Sequence, residues 1–347
     1  MGRSRNQRLL LTGLILVLLS GTAAGPLWSA CEVPIEWRAT RPDPEGQATE
    51  VRLGVMLIDL QSINDSAQSF NADIYVLATW KDTRLISVDL LEPLVGCMIP
   101  IEDVWTPRLV FVNERSVRRR FEEKVSVAAD GTVEYAQRLQ GEFTSQLRLR
   151  DFPFDEHELF LEVVARGYIP EFIKFVPEFG KGKIAELTIT DWDVGQPRAE
   201  VVGRYIAPRD HTVASVRFRV PVKRRLGFYT LKTFLPLTLI VFMSWAVFWI
   251  KPGLLPPQIG VSTSAILTLI AFQFSLAFML PRLSYLTRAD RFLIGSTLLV
   301  FMAFGEALRT SYLANRDQED HALKIDKVSR VLFPICFVML LIVSFVL

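Results

Sequence analysis

The chain has 347 residues, 50% of them hydrophobic and 22% charged, with a formal net charge of +2. That balance is too weak for a nucleic-acid binder, and its densest basic run, Arg118 to Arg120, reads as a solvated strand or loop face. The N-terminal part alternates polar with apolar residues, whereas from about Phe228 onward the chain is nearly continuous membrane-grade sequence.

Residues 1–30 read as an export signal. Arg3, Arg5 and Arg8 precede an apolar core from Leu9 to Leu19, and small residues follow from Gly21 to Gly25. The core is too short to span a bilayer comfortably. Cleavage is expected near Ala24 or Ala30. Ser29-Ala30-Cys31 resembles a lipoprotein site, but Trp28 stands where an aliphatic residue is expected. Of the other cysteines, Cys97 lies in the soluble part and Cys336 in a membrane segment. They occupy different compartments, so no disulfide framework is expected.

Residues 31–224 read as a β-sandwich. Val51 to Ile58 alternates, Asn64-Asp65 marks a turn, and Phe70 to Trp80 forms a second strand. Further strands are expected over Thr132 to Leu149, Glu158 to Val164 and Val213 to Val220. Short strands with turns and no long amphipathic helix suit a sandwich. No nucleophile–base arrangement, metal-ligand spacing or Gly-rich phosphate loop appears. His157, His211 and His321 are far apart. The chain is therefore not expected to be an enzyme, or to carry a metal or cofactor.

Residues 225–347 read as an all-α domain of four membrane segments: Phe228–Ile250, Ile259–Leu280, Arg291–Tyr312 and Val328–Leu347. Each approaches the ~20 residues that a bilayer requires. Pro236 in the first permits a local kink. The export signal places the sandwich and the C-terminus outside. The loop charges agree only in part: Arg309, Arg316, Lys324, Lys327 and Arg330 suit an inner loop, but Arg282, Arg288 and Arg291 lie on the outer one. In the second segment, Gly260, Ser264, Leu267, Ala271, Phe274 and Phe278 share one helical face. A lone helix would waste that stripe of small, hydroxyl and apolar groups; several copies around an axis would line a water path with it.

The motifs WKDTRL at Trp80–Leu85, VWTPRLVFVNE at Val104–Glu114 and FPFD at Phe152–Asp155 stand in the soluble part. RRLGFY at Arg224–Tyr229, SWAVFWI at Ser244–Ile250 and LPRLSYLT at Leu280–Thr287 follow. In this order they resemble the pentameric ligand-gated ion channels, the Cys-loop receptor superfamily, and specifically its bacterial members. The resemblance runs from about Val51 to the C-terminus and implies a homopentamer in a bacterial cell membrane, with the sandwich on the periplasmic or extracellular side. The two positions of the family's namesake cysteines hold Ser145 and Leu159, which implies that this disulfide is missing. The loop between the third and fourth segments reads as only about a dozen residues, without the long cytoplasmic insert of the family's animal receptors.

The same resemblance assigns sites. With Pro281 setting the register, Leu267 falls at the family's central hydrophobic constriction, with Ser264 and Gly260 below it and Ala271, Phe274 and Phe278 above. The inner mouth reads Leu254-Leu255-Pro256-Pro257-Gln258 without the carboxylate of cation-selective members; selectivity stays open, leaning to anions. The ligand box maps onto Tyr75, Val112, Arg166, Tyr205 and Val213, of which two are aromatic. Arg166 would repel an amine and favour a carboxylate; its alternative is a structural ion pair in a vestigial site, and gating by protons is a third option. The layers that pass motion to the pore map onto Asp65, Phe152, Pro153, Phe154, Asp155, Arg224, Pro281 and Tyr285, with Asp155 and Arg224 as an ion pair. The rival reading is a membrane-anchored sandwich that senses or adheres without conduction.

Overall fold

The computed structural model describes residues 31–43, 46–86, 94–178, 187–277 and 283–346. The export segment, Phe278 and Pro281 lie outside the described residues.

A short helix, Ile35–Ala39, precedes the first strands, β1 (Thr49–Asn64) and β2 (Ser69–Lys81). Then come β3 (Met98–Pro100), β4 (Leu109–Phe111), β5 (Glu114–Arg119), β6 (Lys124–Val127) and β7 (Thr132–Thr144). The rest are β8 (Glu156–Ala165), β9 (Ile173–Glu178), β10 (Trp192–Val194), β11 (Arg198–Ile206) and β12 (His211–Arg224). One sheet runs β3-β6-β7-β2-β1-β9 with β5 paired to β7; the other runs β10-β12-β8-β4 with β11 paired to β12. Period-two burial explains the pairing. In β1, Val51, Leu53, Val55 and Leu57 turn inward while Arg52 and Met56 face out. The turn after β1 forms because the Asn64 side chain accepts hydrogen bonds from the backbone N–H groups of Ser66 and Ala67. Gly141 admits β5, since a Cβ there would lie 2.0 Å from the Ser116 carbonyl oxygen.

Cys31 and Cys97 form a disulfide across 66 residues, with their Cα atoms 6.1 Å apart. This overturns the expectation of no disulfide. Cys31 was assigned to the cleavage region, leaving Cys97 only an unreachable partner in the membrane, whereas both belong to the same folded layer. The bond uses the Cys31 sulfur and so excludes lipid attachment there. Cys336 is free.

The helices long and apolar enough to cross a membrane are Gly227–Trp249, Leu255–Leu276, Arg288–Ala314 and Glu319–Phe345. The first contains a π-helical turn, Thr230–Phe234, directly before Pro236. Proline offers no N–H and its ring crowds the carbonyl four residues back, which widens the turn. The fourth helix starts at Glu319, well before the expected Val328, so the loop after Ala314 spans only residues 315–318. Ala322, Asp326, Ser329, Phe333 and Phe337 form its buried face. That helical period continues through the charged turns carrying Lys324, Lys327 and Arg330, which a hydropathy reading assigns to a loop. A second core of Leu237, Val241, Phe248, Leu269, Phe292 and Val300, among others, holds the helices together.

Candidate pore, binding and coupling sites

The sandwich and the helices meet at Arg224, the last residue of β12. Its side chain is 2% exposed. Nε donates to Asp155 Oδ1 at 2.9 Å, and Nη2 donates to Asp155 Oδ2 at 2.9 Å and to Asp65 Oδ1 at 2.8 Å. Nη1 donates to the Tyr229 hydroxyl at 3.0 Å. The guanidinium lies over the rings of Trp192 at 4.1 Å, Phe152 at 4.9 Å and Tyr229 at 5.5 Å. The planar fork thus joins the first turn, the FPFD loop, β10 and the first membrane helix.

Burial pushes the Asp155 carboxyl up, but hydrogen bonds from His157 and Arg224 and their charges overcome it and hold it below the usual carboxylate range. Burial likewise pushes Arg224 down, and the bonds to Asp155 and Asp65 more than reverse this. Because Asp155 is lowered, its contribution to stability is complete above the unfolded carboxylate pKa. It is lost only as pH falls through the lowered folded value.

The rest of the junction closes around this cluster. The Leu149 backbone N–H donates to the Tyr285 hydroxyl at 3.1 Å, and the Ala289 N–H donates to the Phe152 carbonyl at 3.2 Å. The third helix starts with a capping box between Thr287 and Asp290. Arg288 Nε donates to Asp151 at 2.8 Å, and its Nη1 donates to the Phe345 carbonyl at the end of the fourth helix, also at 2.8 Å. Phe154 packs edge-on to Phe345 at 5.6 Å, and Pro153 is buried beside it in the same loop. Asp65, Phe152, Pro153, Phe154, Asp155, Arg224 and Tyr285 are therefore gathered at one junction. Sequence reasoning missed Trp192, Tyr229, His157, Asp151 and Arg288 there. His157 carried a usable signal: it lies two residues past Asp155 at the start of a strand, where i and i+2 share a face.

On the second membrane helix, Leu267 is 62% and Phe274 65% exposed. Gly260, Ser264 and Ala271 are exposed in line with them. A Cβ at Gly260 would meet nothing within 4 Å. The opposite face, with Gln258, Ser262, Ala265, Leu269 and Leu276, is buried against the other helices. Gln258 therefore does not stand at the mouth of the exposed stripe. Its amide donates to the Ile250 carbonyl at 3.3 Å and accepts from the Ser311 hydroxyl.

The ligand-box residues divide between the sheets. Tyr75 is on β2, beside Phe121 at 6.2 Å. Val112 follows β4, Arg166 follows β8, and Tyr205 and Val213 lie on β11 and β12. No described contact joins Tyr75 to the others. Arg166 is exposed and makes no ion pair among the described residues. Tyr205 is exposed and donates to Asp210 at 2.7 Å. Val213 is 1% exposed and lies on the same face of β12 as Ser215 and Arg217. Beneath this edge lies Glu162, buried and held by Arg204 at 3.0 Å and Arg217 at 2.9 Å. Burial raises its carboxyl, but the two guanidiniums outweigh this and lower it.

Two family models match in chain order: the neurotransmitter-gated ion-channel ligand binding domain over residues 37–194, and the neurotransmitter-gated ion-channel transmembrane region over residues 233–324. The chain belongs to the Cys-loop receptor family of ligand-gated ion channels. A proton-gated ion channel of Gloeobacter violaceus is 27% identical over 91% of this chain and 88% of its own length. The gamma-aminobutyric acid receptor subunit beta-4 of Gallus gallus is 25% identical, covering 83% of this chain and 61% of its own length. The human gamma-3 subunit is also 25% identical, covering 79% of this chain and 60% of its own length. The chain thus spans about three-fifths of the two animal subunits. These relatives are channels, not enzymes, and the four membrane-capable helices make this channel a multi-pass membrane protein. At the family's cysteine positions, Ser145 and Leu159 are both buried, so this channel's Cys31–Cys97 bond lies elsewhere in the sandwich.

Proposed function

We propose that five copies of this chain surround an axis, with the second membrane helix turning Gly260, Ser264, Leu267, Ala271, Phe274 and Phe278 inward. The observation that carries this reading is the exposed stripe from Gly260 to Phe274. Its buried opposite face already holds the helix within its own subunit, so the stripe is free to face a shared conduit. A ring of Leu267 side chains would exclude water and serve as the gate.

The sandwich is placed outside the cell membrane. The disulfide supports this, because such bonds persist in oxidising compartments. An export-type N-terminus adds to it. A bacterial inner membrane fits the proton-gated relative.

The ligand site would form between neighbouring sandwiches. Tyr75 stands on one sheet and Arg166 and Tyr205 belong to the other, so a neighbour is needed to complete the box. An exposed Arg166, without an ion pair among the described residues, favours a carboxylate ligand over a simple amine. The relatives named for gamma-aminobutyric acid, itself a carboxylate, agree with that chemistry, and the proton-gated relative makes pH the other stimulus. Without a carboxylate at the inner mouth, and with Gln258 turned into the bundle, no fixed negative ring favours cations there. The channel therefore leans to anions.

Planar bilayers containing the purified protein in asymmetric potassium chloride test the whole reading. Stepped pH, 4-aminobutyrate, succinate and propylamine are the probes. The expected result is a current evoked by pH or a carboxylate, reversing towards the chloride potential. A reversal towards the potassium potential removes the anion assignment, a response to propylamine alone removes the acidic ligand, and silence throughout favours a non-conducting anchor.

A further inference from the structure

We propose that His157 is a proton-binding site through which external pH acts on the Arg224 junction, an inference that rests on the reading of that junction as the gating link. His157 lies on β8 with its side chain 3% exposed, and its Nε2 is 2.5 Å from Asp155 Oδ2. Asp155 is the carboxylate that Arg224 grips with two nitrogens. The imidazole also lies 5.7 Å from the Trp192 ring, over which the Arg224 guanidinium sits. One titratable ring thus touches both supports of the cation that joins the two layers.

Beside His157, at β8, β10 and β12, lies an open cavity of about 470 Å³. The charged groups on its wall are mostly paired with one another. Glu156 on β8 meets Lys223 on β12 at 2.7 Å, Glu158 on β8 meets Arg219 on β12 at 2.8 Å, and Asp193 on β10 meets Arg225 at 2.7 Å. Arg198, at the start of β11, completes the charged lining. On the inner side the facing groups are Asp155, Arg224, Asp65 and the Tyr229 hydroxyl.

The charge balance makes His157 consequential. With a neutral imidazole, Asp155 and Asp65 face one guanidinium, an excess of one negative charge. Nε2 donates to Asp155, because an ionised carboxylate only accepts. A proton arriving from solvent then adds to Nδ1 and brings the inner cluster to two positive and two negative charges. Lowering pH favours the arrangement with His157 and Arg224 sharing Asp155. Raising it favours arrangements in which Asp155 leaves His157, and by linkage the junction's equilibrium moves with pH.

Two measurements on the full-length channel test this. In bilayers, wild type is expected to change open probability between pH 5 and 8. His157→Gln keeps a hydrogen-bond donor but gains no charge, and is expected to flatten that response at least tenfold. His157→Lys is expected to hold the low-pH behaviour throughout. Independently, hydrogen exchange of the wild-type protein, corrected for intrinsic rates, is expected to show pH-dependent protection over residues 149–158 and 220–229. PH-dependent exchange without current under any condition supports the proton site and counts against the channel reading. A His157→Gln response identical to wild type, a wild-type current indifferent to pH, or pH-independent protection overturns the inference while leaving the channel reading intact.

Discussion

Arg224→Ala is expected to yield channels that assemble but barely gate. The substitution strands two carboxylates, Asp155 and Asp65, in a place where Asp155 is 2% exposed. Removing one partner of such a buried pair costs about 3–5 kcal/mol, because the remaining charge loses its compensation. The loss is mechanical as well as electrostatic. The guanidinium contacts the first turn, the FPFD loop, Trp192 and Tyr229 of the first membrane helix, so its removal uncouples four segments together. Arg224→Lys keeps the charge but not the planar fork, and a partial response is expected from it. Asp155→Asn should be milder in stability yet share the gating defect. Evoked current per assembled channel, with assembly read by size-exclusion chromatography, is the check. Ordinary currents from Arg224→Ala would remove the junction's assigned role.

The second large effect is expected at Leu267. Its side chain points away from its own subunit's core, and in the proposed ring five leucines form a constriction that gates by excluding water. Leu267→Ser places hydroxyls there and lets water in. The expected outcome is a standing current without stimulus, with resting conductance raised roughly tenfold or more, equivalent to about 1.4 kcal/mol of gating free energy. A leucine facing lipid predicts the reverse: no leak, and at most a poorer yield of folded protein. Resting current normalised to channel number separates the two.

The architecture was legible because it depends on periodicity. The alternation of Val51 to Ile58 and Val213 to Val220 marked β1 and β12, and apolar length marked the membrane helices. The FPFD and RRLGFY motifs pointed to Asp155 and Arg224, which meet at 2.9 Å. Features decided by long-range packing were not readable. Cys31 and Cys97 are 66 residues apart and meet only once the N-terminal segment packs against the sandwich. Gln258 occupies a sequence position next to the inner mouth, but Ser311 on the third helix and the Ile250 carbonyl capture its amide. The fourth helix begins nine residues early because its buried face, not its mean hydropathy, sets its start.

Water accessibility along the second membrane helix tests the central claim most directly. In a Cys336→Ser background, Ser264, Leu267, Ala271, Ala265 and Leu269 are replaced singly by cysteine. A small, charged thiol reagent is then applied while current is recorded. The account predicts that cysteines at 264, 267 and 271 react and alter conduction, whereas those at 265 and 269 do not. Equal reactivity around the helix, or reaction confined to 265 and 269, would contradict it.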